Sequence, residues 1–259
     1  MKKILAILAF ALLATAGRAQ DEQQAGQEPN PPDWDRIEAL VSIPASEYYY
    51  PFLMTRYTAG DSTLTEKDYY YLYYGYSCQP GYRPLLESPY VDSLRWSFSG
   101  KTAANAETYR RIVQACSNIL AEEPFNLRDL NVLAFAYQML DDIENAEKTA
   151  VKIAMISTII KSTGSGLAEE SPWHVIYPKH AEDILYLMEA RFTRAMLVST
   201  SVEFIPVSNM PNKRYKGYYF DISEAYKRRP DYLDDNKPKR KLEVNPRYNP
   251  KSRQYILPK

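Results

Sequence analysis

The chain has 259 residues, of which 45% are hydrophobic, and its 32 basic and 32 acidic side chains leave no formal net charge. This length and apolar content suffice for a substantial hydrophobic core, in one domain or in two small ones. Because no net positive charge attracts polyanions, we predict no nucleic acid partner. We also predict no cofactor, since the sequence has neither a phosphate-binding glycine loop nor a dinucleotide-binding fingerprint.

The chain begins with the pattern of a cleavable secretory signal, residues 1–19. Two lysines are followed by an unbroken run of 11 apolar residues and then by small residues at Gly17 and Ala19. The run is shorter than the roughly 20 residues that span a bilayer. Signal peptidase requires small side chains at the first and third positions before the cut, which predicts cleavage after Ala19. We therefore expect an exported, periplasmic or extracellular protein with no transmembrane segment in the mature chain; a retained membrane anchor is the alternative.

One α+β domain, mainly helical, is predicted from residue 34 to residue 228. Before it, residues 20–33 are polar, contain three prolines and no large apolar side chain, and are predicted to be a disordered linker. After it, residues 229–259 are dominated by prolines and by charged, mostly basic side chains, which predicts a weakly ordered basic tail. The domain divides into three consecutive parts: a tyrosine-rich helical part at 34–100, a helical hairpin part at 101–163, and a part with a small antiparallel sheet at 164–228.

Apolar or small side chains recur every three to four residues between residues 105 and 162, which is the strongest helical pattern of the chain. Three consecutive helices are predicted there, and their short connections require neighbours to pack antiparallel. An earlier helix is predicted to begin at one of two pairs with the spacing of a capping box, Thr63 with Glu66 or Thr65 with Asp68, and to end at Gly75. Asp33 can cap another, shorter helix.

The spacing of the apolar side chains changes after the segment Gly164-Ser165-Gly166. We interpret this segment as a plain linker. Residues 173–177 are a short strand candidate. Residues 196–207 and 216–222 each place side chains alternately on two sides, as strands with one buried face do. The loop at 208–214 is short enough for these two strands to pair as an antiparallel hairpin.

Tyrosine is unusually frequent, with 23 residues in all and the highest density between residues 48 and 82. Tyrosine rings offer apolar faces to sugar rings or peptides, so one hypothesis is a ligand-binding surface that includes Tyr73 and Tyr74. The alternative is half-buried packing, with the ring inside and the hydroxyl in water. We favour this alternative because the tyrosines occupy every face of one predicted helix.

The block from Leu127 to Ser162 resembles a tetratricopeptide repeat. Five positions of that repeat prefer, in order, a large residue, a leucine, a small residue, a tyrosine and an alanine. This chain has at these positions Leu130, Leu133, Ala134, Tyr137 and Ala146. Arrays of such repeats bind peptide or protein segments in a concave groove, so the resemblance implies a groove beside Tyr137. Stable arrays need about three repeats. The chain carries one, with a partial match in the preceding helix.

Five short motifs occur in the order Asp61-Ser62-Thr63-Leu64-Thr65, Tyr71-Leu72-Tyr73-Tyr74-Gly75-Tyr76, Gln79-Pro80-Gly81-Tyr82, Gly164-Ser165-Gly166 and Tyr218-Tyr219-Phe220-Asp221-Ile222. Together they resemble an exported family of Bacteroidetes proteins, the domain of unknown function numbered 4919. The resemblance covers about residues 35–228. It implies a shared fold and an exported location, and it implies no activity because none is established for the family.

The only histidines are His174 and His180. Together with Asp183 they could form a general-base or metal cluster, which would make the protein a hydrolase of unfamiliar type. The alternative is a surface or capping role, because no cysteine or further histidine completes a ligand set nearby, and we predict no metal site. Cys78 and Cys116 could form a disulfide in an oxidising compartment; alternatively, Cys116 is a small apolar core residue.

We predict an exported, non-catalytic binding or scaffolding protein of the bacterial cell envelope. The sequence has neither a serine nucleophile elbow nor a zinc-protease helix motif, so it favours a protein that is not an enzyme. A protein or peptide partner fits the repeat-like helices, and a glycan fits the tyrosine-rich segment. A hydrolase that uses His174 or His180 with Asp183 is one alternative. A purely structural envelope protein without a ligand is another.

Overall fold

The structure, a computed structural model, describes residues 29–85, 88, 90–92, 94, 105–227, 248–249 and 254–255. The predicted signal at 1–19, most of the predicted linker at 20–33 and most of the predicted tail at 229–259 lie outside the described residues. Within the tail, Tyr248–Asn249 and Gln254–Tyr255 pair as a short antiparallel ladder. The α+β class, mainly helical with a small sheet in the C-terminal part, is confirmed.

Helices α1 (Trp34–Ser42), α2 (Tyr50–Ala59) and α3 (Glu66–Gly75) form the N-terminal part, and α3 packs against both of the others. The predicted cap of α1 is present, because the Asp33 carboxylate accepts a hydrogen bond from the N–H of Arg36 at 3.1 Å. The bond gives a partner to one of the N–H groups that the first turn of a helix leaves unsatisfied.

Of the two capping boxes predicted for the start of α3, the structure contains the one formed by Thr65 and Asp68. The N–H of Asp68 donates to the Thr65 hydroxyl at 3.2 Å, and the N–H of Thr65 donates to the Asp68 carboxylate at 2.8 Å. The helix ends at Gly75, as predicted, and continues as a single 3-10 turn, Tyr76–Cys78. All residues of α3 from Tyr69 onward are buried, so this helix runs through the interior of the domain.

The three predicted consecutive helices are α4 (Ala106–Glu122), α5 (Leu127–Met139) and α6 (Ile143–Lys161). Helix α4 packs on α5, α5 packs on α6, and α6 also contacts α3. Each of the three begins with a side-chain oxygen that accepts a hydrogen bond from the N–H three residues later. The capping residues are Asn105, Asn126 and Asp142.

The C-terminal part contains β1 (Trp173–His174), α7 (Lys179–Leu187), β2 (Met196–Leu197), β3 (Val202–Pro206), β4 (Gly217–Asp221) and α8 (Ser223–Lys227). The strand order is β1-β4-β3-β2. The predicted hairpin is confirmed as the antiparallel pair β3 and β4. The sheet is nevertheless mixed, since β1 pairs with β4 in parallel. Parallel neighbours need a long crossover connection, and α7 lies in that connection.

The predicted strand at 196–207 is instead two strands, β2 and β3, joined by a tight turn. The N–H of Val198 donates to the carbonyl of Val202 at 2.9 Å and closes this turn. β2 is consequently the edge strand of the sheet, and both of its side chains, Met196 and Leu197, are exposed. The alternating pattern correctly indicated extended backbone but carried no signal for the reversal of direction.

The segment Gly164-Ser165-Gly166 is a packed turn rather than the plain linker that we predicted. Gly166 has a φ angle of +65°, and a Cβ atom at this position would lie 2.6 Å from Cε2 of Trp173. Its N–H donates to the carbonyl of Ser171 at 2.9 Å, and its carbonyl accepts from the N–H of Tyr219 at 2.8 Å. Glycine therefore allows the loop to lie directly against β1 and β4.

Two hydrophobic clusters form the core. The larger cluster joins the tyrosines of the N-terminal helices to α6, α7 and the sheet, and the smaller cluster joins α4 to α5. Leu120 of α4 contacts both clusters. The two clusters therefore form adjoining parts of one interior, with α5 between them.

Several buried tyrosines do not place their hydroxyls in water. In five cases among the described residues the hydroxyl donates a hydrogen bond to a backbone carbonyl of a distant segment, so the predicted packing mode is right for these rings and wrong for these hydroxyls. The pairs are Tyr57 with Pro124, Tyr70 with Pro31, Tyr74 with His174, Tyr76 with Glu122 and Tyr82 with Ile176. Each bond satisfies a buried polar group whose isolation would cost about 1–3 kcal/mol.

Candidate functional site

His180 lies on α7 and is completely buried. Its Nδ1 atom is 2.8 Å from the Tyr73 hydroxyl, which also accepts a hydrogen bond from the N–H of Ile176 at 3.3 Å. Burial holds the pKa of His180 well below its usual value, so the ring is neutral. We infer that Tyr73 donates to Nδ1 and that the ring proton is on Nε2, for which the described part of the chain offers no partner.

His174 lies on β1 and is held mainly through its backbone. Its carbonyl accepts from the Tyr74 hydroxyl and its N–H donates to the Thr163 hydroxyl, both at 2.9 Å. Burial lowers the pKa of its imidazole, although the charge of Asp221 acts in the opposite direction. Within the described ranges, no three His, Cys, Asp or Glu side chains are grouped so that they could hold a metal ion.

A cavity of about 430 Å³ lies where the end of α4, the start of α5 and α7 meet. Val91, Leu94 and Val132 form its apolar wall, and most of the remaining lining is charged. Ligand sites in proteins typically have volumes of about 300–1,000 Å³ and combine apolar walls with a few polar groups. This cavity, which includes the predicted candidate Asp183, is therefore the candidate functional site.

Glu123 and Lys179 form one ion pair in the lining. The Glu123 carboxylate also accepts a hydrogen bond from the side chain of Asn126 at 2.8 Å. Asn126 is the residue that caps α5. The charge of Glu123 is thus balanced, and the pair connects the residue that follows α4 to the first residue of α7.

Arg128 and Asp183 form the second ion pair. The guanidinium donates from Nη2 at 2.9 Å and from Nε at 3.1 Å, both times to Oδ1 of Asp183. The other carboxylate oxygen, Oδ2, has no hydrogen-bond partner in the described part of the chain, although Asp183 is only 3% exposed. Burial raises the pKa of Asp183, and the charge of Arg128 only partly opposes this effect.

Asp129 follows Arg128 in the first turn of α5 and is buried. Its N–H donates to Asn126, but its carboxylate makes no ion pair with Arg128 or Lys179. Burial raises the pKa of Asp129 to about 6; the charges of Glu123 and Asp183 add to the shift, and the two cations oppose it. The described lining of the cavity therefore contains one carboxylate more than its two cations can pair.

The other predicted site residues lie away from this cavity. Tyr73 and Tyr74 are completely buried, so neither presents a ring face to a ligand. Tyr137 is half-buried against the smaller cluster. Cys116 is buried in that cluster, as the core alternative predicted, and burial raises the pKa of its thiol to about 12. Cys78 packs against the larger cluster, and the two sulfurs are not bonded to each other.

A family model described as a domain of unknown function, DUF4919, matches residues 35–230. The chain belongs to this family. The resemblance that the five short motifs carry is thereby confirmed for the family itself. No curated protein and no solved structure matches the chain. In the parts of this DUF4919 protein that the structure describes, no helix has both the length and the apolar character needed to cross a bilayer.

The sequence pattern singled out Asp183 but not the four other charged residues of the cavity. Charged side chains near helix ends are usually solvated, so nothing local marks Asp129 or Glu123 as buried. Arg128 and Asp183 are 55 residues apart in the chain. Only the packing of α5 against α7 brings them together, and a single sequence carries no record of that contact.

Proposed function

We propose that the protein is exported to the cell envelope and binds a peptide segment of a partner protein there, without catalysing a reaction. One observation supports this most directly: Asp183 is almost completely buried, lines the cavity and has a carboxylate oxygen without a partner among the described residues. Leaving a buried acceptor unsatisfied costs about 1–3 kcal/mol. A ligand that supplies a donor would remove this cost.

The face of α5 beside the cavity offers a path for such a segment. Arg128, Val132, Phe135 and Met139 follow one another at spacings of three or four residues, and Phe135 and Met139 are exposed. Next to Arg128, at 6.0 Å from its guanidinium, lies the ring of Tyr186, which is 62% exposed. We further propose that α5 and α6 form a tetratricopeptide-like hairpin whose groove is this face of α5.

The two alternative functions, a hydrolase and a glycan-binding protein, have less support. A hydrolase would need His180 to reach a substrate, but His180 is buried between the rings of Tyr73 and Tyr177 and does not line the cavity. A glycan-binding surface would need exposed tyrosine rings in α3, and Tyr73 and Tyr74 expose none. A peptide partner requires neither feature.

The proposal is tested with the mature chain, residues 20–259, and a random-sequence peptide library. Val132→Trp fills the cavity from its apolar wall, whereas Val151→Trp introduces the same side chain at a valine of α6 that is 52% exposed. We expect the wild type and V151W to retain a set of peptides that V132W does not retain, with all three proteins folded by circular dichroism. Equal retention by all three, or none by the wild type, would contradict binding in the cavity and favour a purely structural role.

Export is tested independently by expressing the full chain and sequencing the N-terminus of the protein in the envelope fraction. We expect Gln20 as the first residue, because Gly17 and Ala19 provide the small side chains before the cut. Ala19→Tyr should block cleavage, and Arg18→Leu, between those positions, should not. Uncleaved wild-type protein in the cytoplasm would refute export.

A further inference from the structure

Among the described residues that line the cavity, the charged groups leave acceptors on two residues that neither cation pairs. Lys179 is engaged by Glu123, and Arg128 is engaged by Oδ1 of Asp183. What is left is the second oxygen, Oδ2, of Asp183, which has no hydrogen-bond partner in the described part of the chain, and the carboxylate of Asp129, which pairs with neither cation. Asp129 and Asp183 line the same cavity, so one ligand there can reach both residues.

The opposite side of the same cavity is apolar, because Val91, Leu94 and Val132 line it. A ligand that fits both sides needs a cationic head with several donors and an apolar stem. The lysine side chain has this composition: an ammonium with three N–H donors and no acceptor, on a stem of methylene groups that packs on apolar surface.

We propose that the cavity binds a primary ammonium on an alkyl stem, the lysine side chain of a partner peptide, with the ammonium between Asp129 and Asp183 and the stem against the valine and leucine wall. This inference rests on the proposed function, since it names the chemical group that the peptide inserts. The bound cation would complete the pairing of three carboxylates with three cations.

Other ligand chemistries fit the cavity less well. An anionic group would meet three carboxylates whose cations are already engaged, and a neutral group would leave the charge of Asp129 uncompensated. A guanidinium binds best as a planar fork on both oxygens of one carboxylate. Asp183 offers only one oxygen, because Arg128 occupies the other, and a fork on both oxygens of Asp129 would leave that one oxygen of Asp183 without a donor. A compact ammonium with rotatable donors is better suited to oxygens on two different residues.

The test measures binding of four small probes to the mature chain by isothermal titration calorimetry at about pH 7.5. The probes are the Nα-acetyl methylamides of lysine, Nε-acetyl-lysine, norleucine and arginine. We expect the lysine probe to bind and the acetylated and norleucine probes to bind at least about tenfold more weakly, since each lacks the charged donors. The arginine probe should also bind more weakly than the lysine probe.

Two further measurements locate the ammonium. Asp129→Asn should weaken binding of the lysine probe by about tenfold or more, while Glu144→Gln, the same change at an exposed glutamate of α6, should leave it unchanged. In the wild type, binding should weaken as the pH falls from about 7.5 to about 5. The groups around Asp129 are Glu123, Arg128, Lys179 and Asp183, and protonation of Asp129 removes the negative charge that attracts the ammonium.

The outcomes separate this inference from the proposed function. If all four probes bind equally, or if D129N binds the lysine probe as the wild type does, the cavity does not select an ammonium and the inference is wrong. If the lysine probe does not bind to the folded wild type, the inference is also wrong. None of these three results affects the proposed function. That function is decided by whether V132W loses the library peptides that V151W retains.

Discussion

Tyr73 combines packing and hydrogen bonding in one side chain. Its ring contacts Tyr74, Phe125 and His180 in the larger cluster, while its hydroxyl connects the N–H of Ile176 to Nδ1 of His180. Phenylalanine would fill nearly the same volume but would leave the N–H and the ring nitrogen without a partner. The hydroxyl therefore contributes to stability separately from the ring.

We predict that Tyr73→Phe lowers the free energy of unfolding by about 2–3 kcal/mol, because two buried polar groups lose their partner. Tyr186→Phe removes the same atom from a ring that is 62% exposed and should change stability by less than about 0.5 kcal/mol. Urea denaturation of both variants measures the difference. Equal effects would show that the Tyr73 hydroxyl has no structural role.

Asp129→Asn should stabilise the free protein in a pH-dependent way. Burial raises the pKa of Asp129 from 3.8 to about 6, so between these values the folded protein keeps a proton that the unfolded chain has released. Stability therefore falls as the pH rises through this window, and above about pH 6 the charged carboxylate costs about 2–3 kcal/mol. Asparagine never carries this charge.

Urea denaturation of D129N and the wild type at about pH 4 and pH 7.5 tests this expectation. The variant should gain about 2 kcal/mol at the higher pH and almost nothing at the lower pH. The same gain at both values would mean that ionisation is not the cause. A residue whose charge destabilises the empty protein but strengthens binding is typical of a ligand site.

At the scale of elements, several helices could be predicted because their signals are local, whereas α2 was not predicted. The capping pair Thr65 and Asp68 and the cap Asp33 each involve residues three apart, and the structure contains all of these bonds. The parallel pairing of β1 with β4 could not be predicted, because its partners, such as Trp173 and Phe220, are 47 positions apart. The cavity depends on contacts of the same kind between α5 and α7.

Gly166 shows that a short polar motif can carry a tertiary contact. Gly166→Ala should destabilise the protein by about 2 kcal/mol or more, because the residue has a left-handed φ angle and its new methyl group would overlap the ring of Trp173. Gly81→Ala is the control, since a Cβ atom there has no heavy atom within 4 Å. Thermal unfolding of both variants measures the contrast. Similar melting temperatures would refute a packed turn at Gly166.

At the scale of the whole molecule, the buried histidines make stability depend on pH. Burial lowers the pKa of both His174 and His180, so below about pH 6.5 the unfolded chain takes up protons that the folded protein does not bind. The contribution of the two neutral histidines to stability is therefore complete above about pH 6.5 and is lost as the pH falls below it. Asp129 acts in the opposite sense between about pH 4 and 6 and offsets part of the loss.

We predict that His180→Phe reduces the loss of stability between about pH 6.5 and 5 by up to about 1.4 kcal/mol per pH unit, since one proton fewer is taken up on unfolding. The variant will be less stable than the wild type at neutral pH, because Tyr73 loses its acceptor. The slope, and not the absolute value, is therefore the readout. Glu144→Gln should leave the slope as it is, and an unchanged slope in H180F would show that His180 does not titrate on unfolding.

The tyrosine-filled interior also sets an upper pH limit for the fold. Burial raises the phenol pKa of many tyrosines, among them Tyr50, Tyr57, Tyr69, Tyr70, Tyr73, Tyr74 and Tyr177. Above about pH 10 the unfolded chain loses these protons while the folded protein keeps them, and each phenol then removes up to about 1.4 kcal/mol of stability per pH unit. Several phenols acting together exhaust a typical stability of about 5–15 kcal/mol within one or two pH units. The tyrosinate absorbance of these buried phenols should therefore appear in one abrupt alkaline step, together with the loss of helical circular dichroism.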